Sequence, residues 1–156
     1  MNKNLVKIEI NDFESLLKAC DLLHDARCEL SLLQFNETEG ILKARFEREF
    51  FEDKELIKTK SILFGFAKTT YPVAGSELIL KGIKSFKTDD KSQVGKYTFN
   101  ECKVTGNTIT LSFCEDMNII LSFIDRPNGS LTDHKLLEKE VSYYHLYNLF
   151  GISNAN

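Results

Sequence analysis

The chain has 156 residues, of which 42% are hydrophobic and 28% charged, and its net charge is −3. A chain of this length can bury a core without disulfides or metal ions, so we expect residues 1–156 to form a single domain that folds on its own. The longest apolar run, Ile119–Ile124, is too short to cross a membrane, and the first residues lack the pattern of a secretory leader. We therefore expect a cytoplasmic protein without membrane contact.

The four cysteines are Cys20, Cys28, Cys102 and Cys114. None forms a C-x-x-C pair, and none lies with histidines at the spacing of a zinc site. In a cytoplasmic protein such cysteines are typically reduced and pack as small hydrophobic residues. The sequence therefore predicts neither a metal site nor a cofactor.

The first elements are a short strand and a helix. In Leu5–Ile10 apolar and charged residues alternate, which is the period of a half-buried strand. Residues 12–25 then carry apolar residues at helical spacing, with Asn11 and Asp12 available as N-terminal caps and Glu14 in the capping-box position. The sequence predicts an amphipathic helix over residues 12–25.

The region from Cys28 to Asp125 has the two-residue alternation of an antiparallel sheet. Ile41–Phe50 alternates clearly and should pair with Glu29–Phe35 through a turn. Lys60–Thr69 and Glu77–Lys87 should be two further strands. The proline and glycine of Tyr71–Gly75 predict a turn between them.

Two glycines inside these patterns, Gly65 and Gly82, predict bulges or bends of the kind that curl a sheet toward a barrel. The clearest hairpin joins Lys96–Val104 to Thr108–Cys114. A two-residue loop at Gly106-Asn107 would place Val104 opposite Ile109, Cys102 opposite Leu111 and Asn100 opposite Phe113. Ile119–Ile124 should be a buried strand that ends at Asp125–Ser130.

The last part of the chain, Thr132–Gly151, has Leu137, Val141, Tyr144 and Asn148 at helical steps. This spacing predicts a closing helix, although the tyrosines also suit a strand. The predicted fold class is therefore α+β: a strongly curved antiparallel sheet of about seven or eight strands, able to form a partial barrel, with an N-terminal and a C-terminal helix.

Catalytic motifs are absent from the sequence, including a phosphate-binding glycine loop, a nucleophile elbow and a zinc-binding helix. The one local acid–base pair is His24-Asp25 at the end of the first helix. With Arg45 and Glu47 it is our candidate polar cluster for a small enzyme or a small-molecule-binding barrel. The structural alternative is a histidine held by the helix dipole at the helix-to-strand corner.

Tyr143, Tyr144 and Tyr147 are candidate aromatic anchors for a partner protein, with packing of a closing helix as the alternative. Nucleic-acid binding is not expected. The lysines that could support it fall on different sides of a regular strand, although aromatic residues interleave with them: Lys81, Lys84, Lys87, Lys91 and Lys96, with Phe86 and Tyr97.

Three features resemble a family of small uncharacterised bacterial proteins, found largely in alphaproteobacteria. They are Leu23–Ala26 (LHDA) at the end of the first helix, Ala44–Glu47 (ARFE) in a strand, and two later hairpins with alternating apolar residues. The resemblance covers roughly residues 10–125. It implies a stand-alone bacterial domain and no particular activity, and the resembling proteins often carry glutamine at the position of His24.

The functional hypothesis from the sequence is a non-catalytic binding or interaction module, of a regulatory or immunity type, that engages a protein partner or a second copy of itself. The alternative is a small enzyme or small-molecule-binding barrel with a polar site near His24, Arg45 and Glu47. A pocket that joins His24 to Arg45 or Glu47 would favour the alternative. A closed core with an exposed aromatic patch would favour the interaction module.

Overall fold

The structure is a computed structural model that describes residues 5–62 and 65–146. These residues form nine β-strands and one α-helix. The helix is α1 (Phe13–Leu22), and the strands are β1 (Lys7–Ile10), β2 (Arg27–Glu29), β3 (Gln34–Asn36), β4 (Ile41–Glu49), β5 (Lys58–Ile62), β6 (Phe66–Asp90), β7 (Lys96–Thr105), β8 (Thr108–Phe113) and β9 (Met117–Leu146).

Helix α1 confirms the predicted N-terminal helix, although it is shorter than predicted. Its N-cap is Asp12, whose carboxylate accepts a hydrogen bond from the Ser15 N–H at 2.8 Å. The Ser15 hydroxyl in turn accepts one from the Asp12 N–H at 3.1 Å. This reciprocal pair replaces the predicted cap of Asn11 with Glu14 and fixes where the helix begins.

Six strands form a closed barrel in the order β9-β8-β7-β2-β4-β6, and β6 pairs again with β9. All of these pairings are antiparallel. The predicted curved antiparallel sheet is therefore confirmed, but it closes completely instead of forming a partial barrel. Closure gives both edges of the sheet a hydrogen-bonding partner.

Strands β6 and β9 are long enough to leave the barrel. Residues 66–74 of β6 pair with residues 136–146 of β9, and β5 pairs with the start of β6. These three segments form a three-stranded antiparallel sheet, called here the extension. The chain reverses between Ile62 and Phe66, which are paired with each other, so the stretch predicted as one strand at Lys60–Thr69 is a hairpin.

The predicted C-terminal helix at Thr132–Gly151 is wrong over residues 132–146, which are part of β9. Residues 147–151, including Tyr147, lie outside the described residues. The spacing of Leu137, Val141 and Tyr144 matches a helix, but a β-branched and an aromatic residue also suit a strand. The partner strand β6 provides a long ladder of hydrogen bonds, and this pairing outweighs the local helical pattern.

Two predicted turns, Tyr71–Gly75 and Asp125–Ser130, also lie inside strands. Pro72 is opposite Glu140, and the register between β6 and β9 shifts directly after it. Such an irregularity accommodates a residue that has no N–H to donate to the ladder. By contrast, the predicted bulge at Gly82 is confirmed, because the register shifts there and Gly82 has a φ of +77°.

The hairpin of β7 and β8 confirms the predicted register, with Val104 opposite Ile109. At the end of the hairpin away from its turn, a register shift places Phe99, instead of Asn100, opposite Phe113. The shift turns the Phe99 ring inward, where it packs edge-on against the Phe113 ring at a centroid distance of 5.5 Å. Part of the core therefore depends on a bulge that simple alternation does not reveal.

One polar network is buried where four chain segments meet. The Arg48 guanidinium donates to both carboxylate oxygens of Asp133, at 3.1 Å and 2.5 Å. The same carboxylate accepts hydrogen bonds from the Ser76 hydroxyl at 2.6 Å and from the Val6 N–H at 3.0 Å. The network therefore ties β4, β6, β9 and the segment before β1 together, and the Arg48 guanidinium also pairs with Glu52 at 2.9 Å.

This network makes a pH dependence testable. Burial opposes ionisation of Asp133, but hydrogen bonds from Arg48, Ser76 and Val6 outweigh it and hold the pKa of Asp133 below its ordinary value. A carboxylate with a depressed folded pKa stabilises the fold above its unfolded pKa of about 3.9, and this contribution is lost as the pH falls through the folded value.

We expect the loss in free energy of unfolding caused by Asp133→Asn to be constant above about pH 5 and to shrink below about pH 4. Urea unfolding of the wild-type protein and the variant from pH 3 to pH 7 measures this difference. The contributions of the other carboxylates are the same in both proteins and cancel. A loss that stays equal at pH 3 and pH 7 would contradict the assignment.

Candidate functional site

The inside of the barrel is filled by hydrophobic side chains of the described residues. Each barrel strand contributes nearly or fully inaccessible residues to one hydrophobic cluster, including Cys28, Phe46, Leu80, Phe99, Leu111 and Leu121. A six-stranded barrel is narrow enough for its own side chains to fill. Two cavities open to solvent on the outer surface.

On the outer face, one row of cross-strand neighbours runs across five strands. The row is Thr98, Arg27, Glu47, Gly75 and Lys135, one residue each from β7, β2, β4, β6 and β9. Because Gly75 has no side chain, the row has a depression in its middle. The larger neighbours on either side form the walls of this depression.

This depression widens into a cavity of about 680 Å³. We call it the charged groove, and it is lined chiefly by Arg27, Glu29, Leu32, Arg45, Glu47, Gly75, Lys96, Thr98, Glu115, His134, Lys135, Leu137 and Lys139. A second cavity of about 550 Å³ adjoins it and shares Arg27, Glu47, Thr98 and Lys139 with it.

Most acidic side chains at the charged groove are already engaged. Glu47 binds Lys139 at 2.6 Å, and Glu29 binds Lys96 at 3.0 Å. Glu115 accepts hydrogen bonds from the N–H and the hydroxyl of Thr98, at 2.6 Å and 2.8 Å. Two of these three carboxylates are therefore paired with a cation, and the third is held by neutral donors.

Two cations of the groove differ from the others. Arg27 and Lys135 make no ion pair within residues 5–62 and 65–146, and both side chains are exposed. They lie on opposite sides of Gly75 in the row described above. The groove thus presents two uncompensated positive charges, one at each side of its floor.

The structure separates the residues of the predicted polar cluster. His24 Nδ1 lies 3.2 Å from Asp25 Oδ2, and both side chains are exposed. Asp25 lines the second cavity, and Arg45 and Glu47 line the charged groove, but His24 is not among the described lining residues of either. Arg45 instead pairs with Glu77 at 3.3 Å, so the four residues do not converge on one point.

Two nucleophilic groups near the cavities are held in their protonated form. Burial raises the pKa of Cys28 to about 12. A hydrogen bond from Tyr143 to Glu49, aided by partial burial, raises the pKa of Tyr143 to about 12. Neither group supplies a thiolate or phenolate at neutral pH. Of the other cysteines, Cys114 is exposed, contrary to the expectation of buried or half-buried thiols.

The adjacent tyrosines Tyr143 and Tyr144 point to opposite sides of the extension, as neighbours in a strand do. Tyr143 lines the second cavity and packs edge-on against Tyr71, with ring centroids 6.0 Å apart. Tyr144 lies on the other side and is 68% exposed. Only Tyr144 of the predicted aromatic anchors is thus turned away from the rest of the molecule, while Tyr147 lies outside the described residues.

Tyr144 belongs to a larger exposed surface that we call the apolar face: Ile62, Phe66, Tyr144 and Leu146. Phe66 is opposite both Ile62 and Leu146, so these side chains are direct cross-strand neighbours. All four are exposed, and the Lys68 ammonium lies 5.8 Å from the centre of the Tyr144 ring. Sequence reasoning missed this surface because it placed Ile62 and Phe66 in one strand and Leu146 in a helix.

Within the described parts of the chain, no three His, Cys, Asp or Glu side chains cluster closely enough to hold a metal ion. No described helix is long and apolar enough to cross a membrane. In comparisons with known proteins, no family model, no curated protein and no solved structure matches the chain.

Proposed function

We propose that this protein is a non-catalytic interaction module that binds a partner protein through the apolar face. The observation that carries this proposal is the contiguity of Ile62, Phe66, Tyr144 and Leu146 on one side of the extension. Single exposed apolar residues are common on protein surfaces, whereas contiguous ones typically mark an interface. Aromatic residues are especially suited to this role because they bury a large area at a small entropic cost.

The apolar face can supply part of the binding energy of a complex. Leu146 is 73% exposed and Phe66 is 44% exposed. Burying the area that such a side chain still exposes contributes about 1 kcal/mol or more to binding. Four neighbouring side chains can therefore form the apolar centre of an interface, while the surrounding polar residues form its rim.

The charges around the apolar face favour an acidic partner over a second copy of the chain. Lys58 is compensated by Glu140 at 2.6 Å, but Lys60 and Lys68 have no ion pair among the described residues. Two copies in face-to-face contact would bring these lysines together, and like charges in an interface are destabilising. A partner with carboxylates around an apolar centre complements the surface, which fits a regulatory or immunity-type protein.

The alternative of an enzyme or small-molecule barrel near His24, Arg45 and Glu47 has less support. His24 contacts Asp25 at the surface, and Arg45 and Glu47 are each engaged with another ion-pair partner. A general acid or base must reach the proton that it transfers. Binding in the charged groove rests on other residues, Arg27 and Lys135.

A pull-down from cells of the source organism tests the proposed function. We expect the amount of one co-purifying acidic protein to fall at least about tenfold with the double variant Phe66→Ser/Leu146→Ser. The variant removes two apolar contacts from the centre of the interface. Ile124→Ser is the matched control, because Ile124 is as exposed as Leu146 but lies away from the apolar face. Quantitative mass spectrometry and binding of the purified partner measure the loss.

The result would contradict the proposal if wild-type protein and the double variant retained the same partners in equal amounts. Light scattering of the purified chain provides the second readout. A monomer is expected, whereas a dimer that dissociates in the double variant would show that the face binds a second copy.

A further inference from the structure

We propose that the charged groove is a second binding site, and that it takes a small organic anion with an apolar body and a carboxylate or phosphate group. The groove lies on the outer face of the barrel, while the apolar face lies on the extension, and the two surfaces have no lining residue in common. This site is therefore independent of the proposed partner surface.

The size and shape of the groove suit a small molecule. Its volume of about 680 Å³ falls within the usual range for small-molecule sites. Gly75 leaves an opening in the row of side chains, and Leu137 lies next to it, since a Cβ added at Gly75 would touch the Leu137 side chain at 3.4 Å. Leu32 and Leu137 provide apolar surface beside this opening, so the body of a ligand can lie on carbon atoms.

The electrostatics of the groove select an anion. Arg27 and Lys135 have no ion pair in the described chain, while Glu29 and Glu47 are each paired with a lysine. Arg27 can bind a carboxylate or phosphate with two parallel hydrogen bonds, and Lys135 adds a point charge. Because Glu29 and Glu47 are paired, Glu115 is the one lining carboxylate of the described groove without a cation, against two free cations that an entering anion meets.

The arrangement of the strands limits the length of the ligand. Arg27 lies on β2 and Lys135 on β9, with β4 and β6 between them, so three strand spacings separate their backbones by about 14 Å. The ion pair of Lys139 with Glu47 lies where the charged groove meets the second cavity, because both residues line both cavities. A compact molecule between Arg27 and Lys135 fits this span more readily than an extended chain.

Titration followed by backbone amide NMR shifts tests this site with phenyl phosphate, benzoate and the uncharged benzyl alcohol as probes. We expect saturable shifts at the amides of Arg27, Gly75 and Lys135 with phenyl phosphate, benzoate or both. Whichever of the two binds identifies the anionic group. The double variant Arg27→Gln/Lys135→Gln should weaken binding at least about tenfold, because it removes both free charges.

Lys43→Gln is the matched control, since Lys43 is an exposed lysine on β4 that does not line the groove. It should leave the affinity unchanged. Gly75→Val provides an independent test, because the added side chain fills the floor while both cations remain. We expect it to abolish the shifts without unfolding the protein, as unfolding temperatures would verify.

Three results would overturn the site. The first is an absence of saturable shifts with either anion at about 10 mM, a concentration that detects a Kd near 1 mM. The second is an equal response to benzyl alcohol, which would indicate contact with the apolar surface alone. The third is undiminished binding in the double variant. None of these outcomes bears on the apolar face, which the pull-down tests separately.

Discussion

Gly129→Ala is expected to destabilise the protein by about 3 kcal/mol or more, a large fraction of the stability of an ordinary domain. Gly129 lies on β9 between two partners, Leu80 on β6 and Ile10 on β1. An added Cβ would lie 1.8 Å from the backbone oxygen of Ile79 and 2.8 Å from its carbonyl carbon. Since both atoms belong to the backbone, the methyl group can fit only if β6 and β9 separate where the barrel closes.

Gly106→Ala is the matched control for this prediction. Gly106 has a φ of +58° in the β7–β8 turn, and apart from its two chain neighbours no described residue has an atom within 4 Å of the position that its Cβ would take. Gly106→Ala should therefore lower the free energy of unfolding only by the cost of placing alanine at a positive φ, about 1 kcal/mol. Urea unfolding of both variants measures the two losses. If Gly129→Ala cost no more than Gly106→Ala, the close approach of β6 and β9 at this point would be wrong.

Arg48→Met is expected to cost about 3–5 kcal/mol, because it leaves the Asp133 carboxylate buried without its cation. Arg48 is 1% exposed, and its guanidinium provides two of the hydrogen bonds to Asp133. Ser76 and Val6 would still donate to the carboxylate, but neither carries a charge. The loss should appear as a lower urea midpoint with an unchanged dependence on denaturant.

A double-mutant cycle distinguishes the ion pair from general damage to the core. The loss in free energy of unfolding of the double variant Arg48→Met/Asp133→Asn should be about 2 kcal/mol smaller than the sum of the two single losses. In the double variant neither residue leaves a buried charge without its partner. The ion pair of Lys58 and Glu140, with side chains 62% and 50% exposed, is the matched control. Lys58→Met should change the stability by less than about 1 kcal/mol. Additive losses at Arg48 and Asp133 would contradict the interpretation.

Much of the fold can be predicted from the sequence because its strongest signals are local. The alternation in Ile41–Phe50, the capping residues near Asp12 and the two-residue loop at Gly106-Asn107 each specify a structure within a short segment. The long strands could not be predicted in this way. Pro72 and Gly129 are typical of turns, yet β6 and β9 carry them inside a continuous pairing, because bulges and the partner strands accommodate them.

The two proposed surfaces are less predictable because residues far apart in the sequence build them. Arg27, Gly75 and Lys135 become neighbours only through the order of the barrel strands. Tyr144 was identified as a candidate anchor from its aromatic side chain alone, whereas Phe66 requires the pairing of β6 with β9 to be known. The resemblance to uncharacterised bacterial proteins stays a prediction and assigns no role to any residue of either surface.

Both surfaces require residues 132–146 to be a strand that lies against β6. Through-space NMR contacts measure this directly. We expect extended backbone shifts over residues 132–146, together with cross-strand contacts between Thr69 and Tyr143 and between Glu77 and Thr132. Helical shifts over the same residues, without these contacts, would remove the extension, the apolar face and one side of the charged groove.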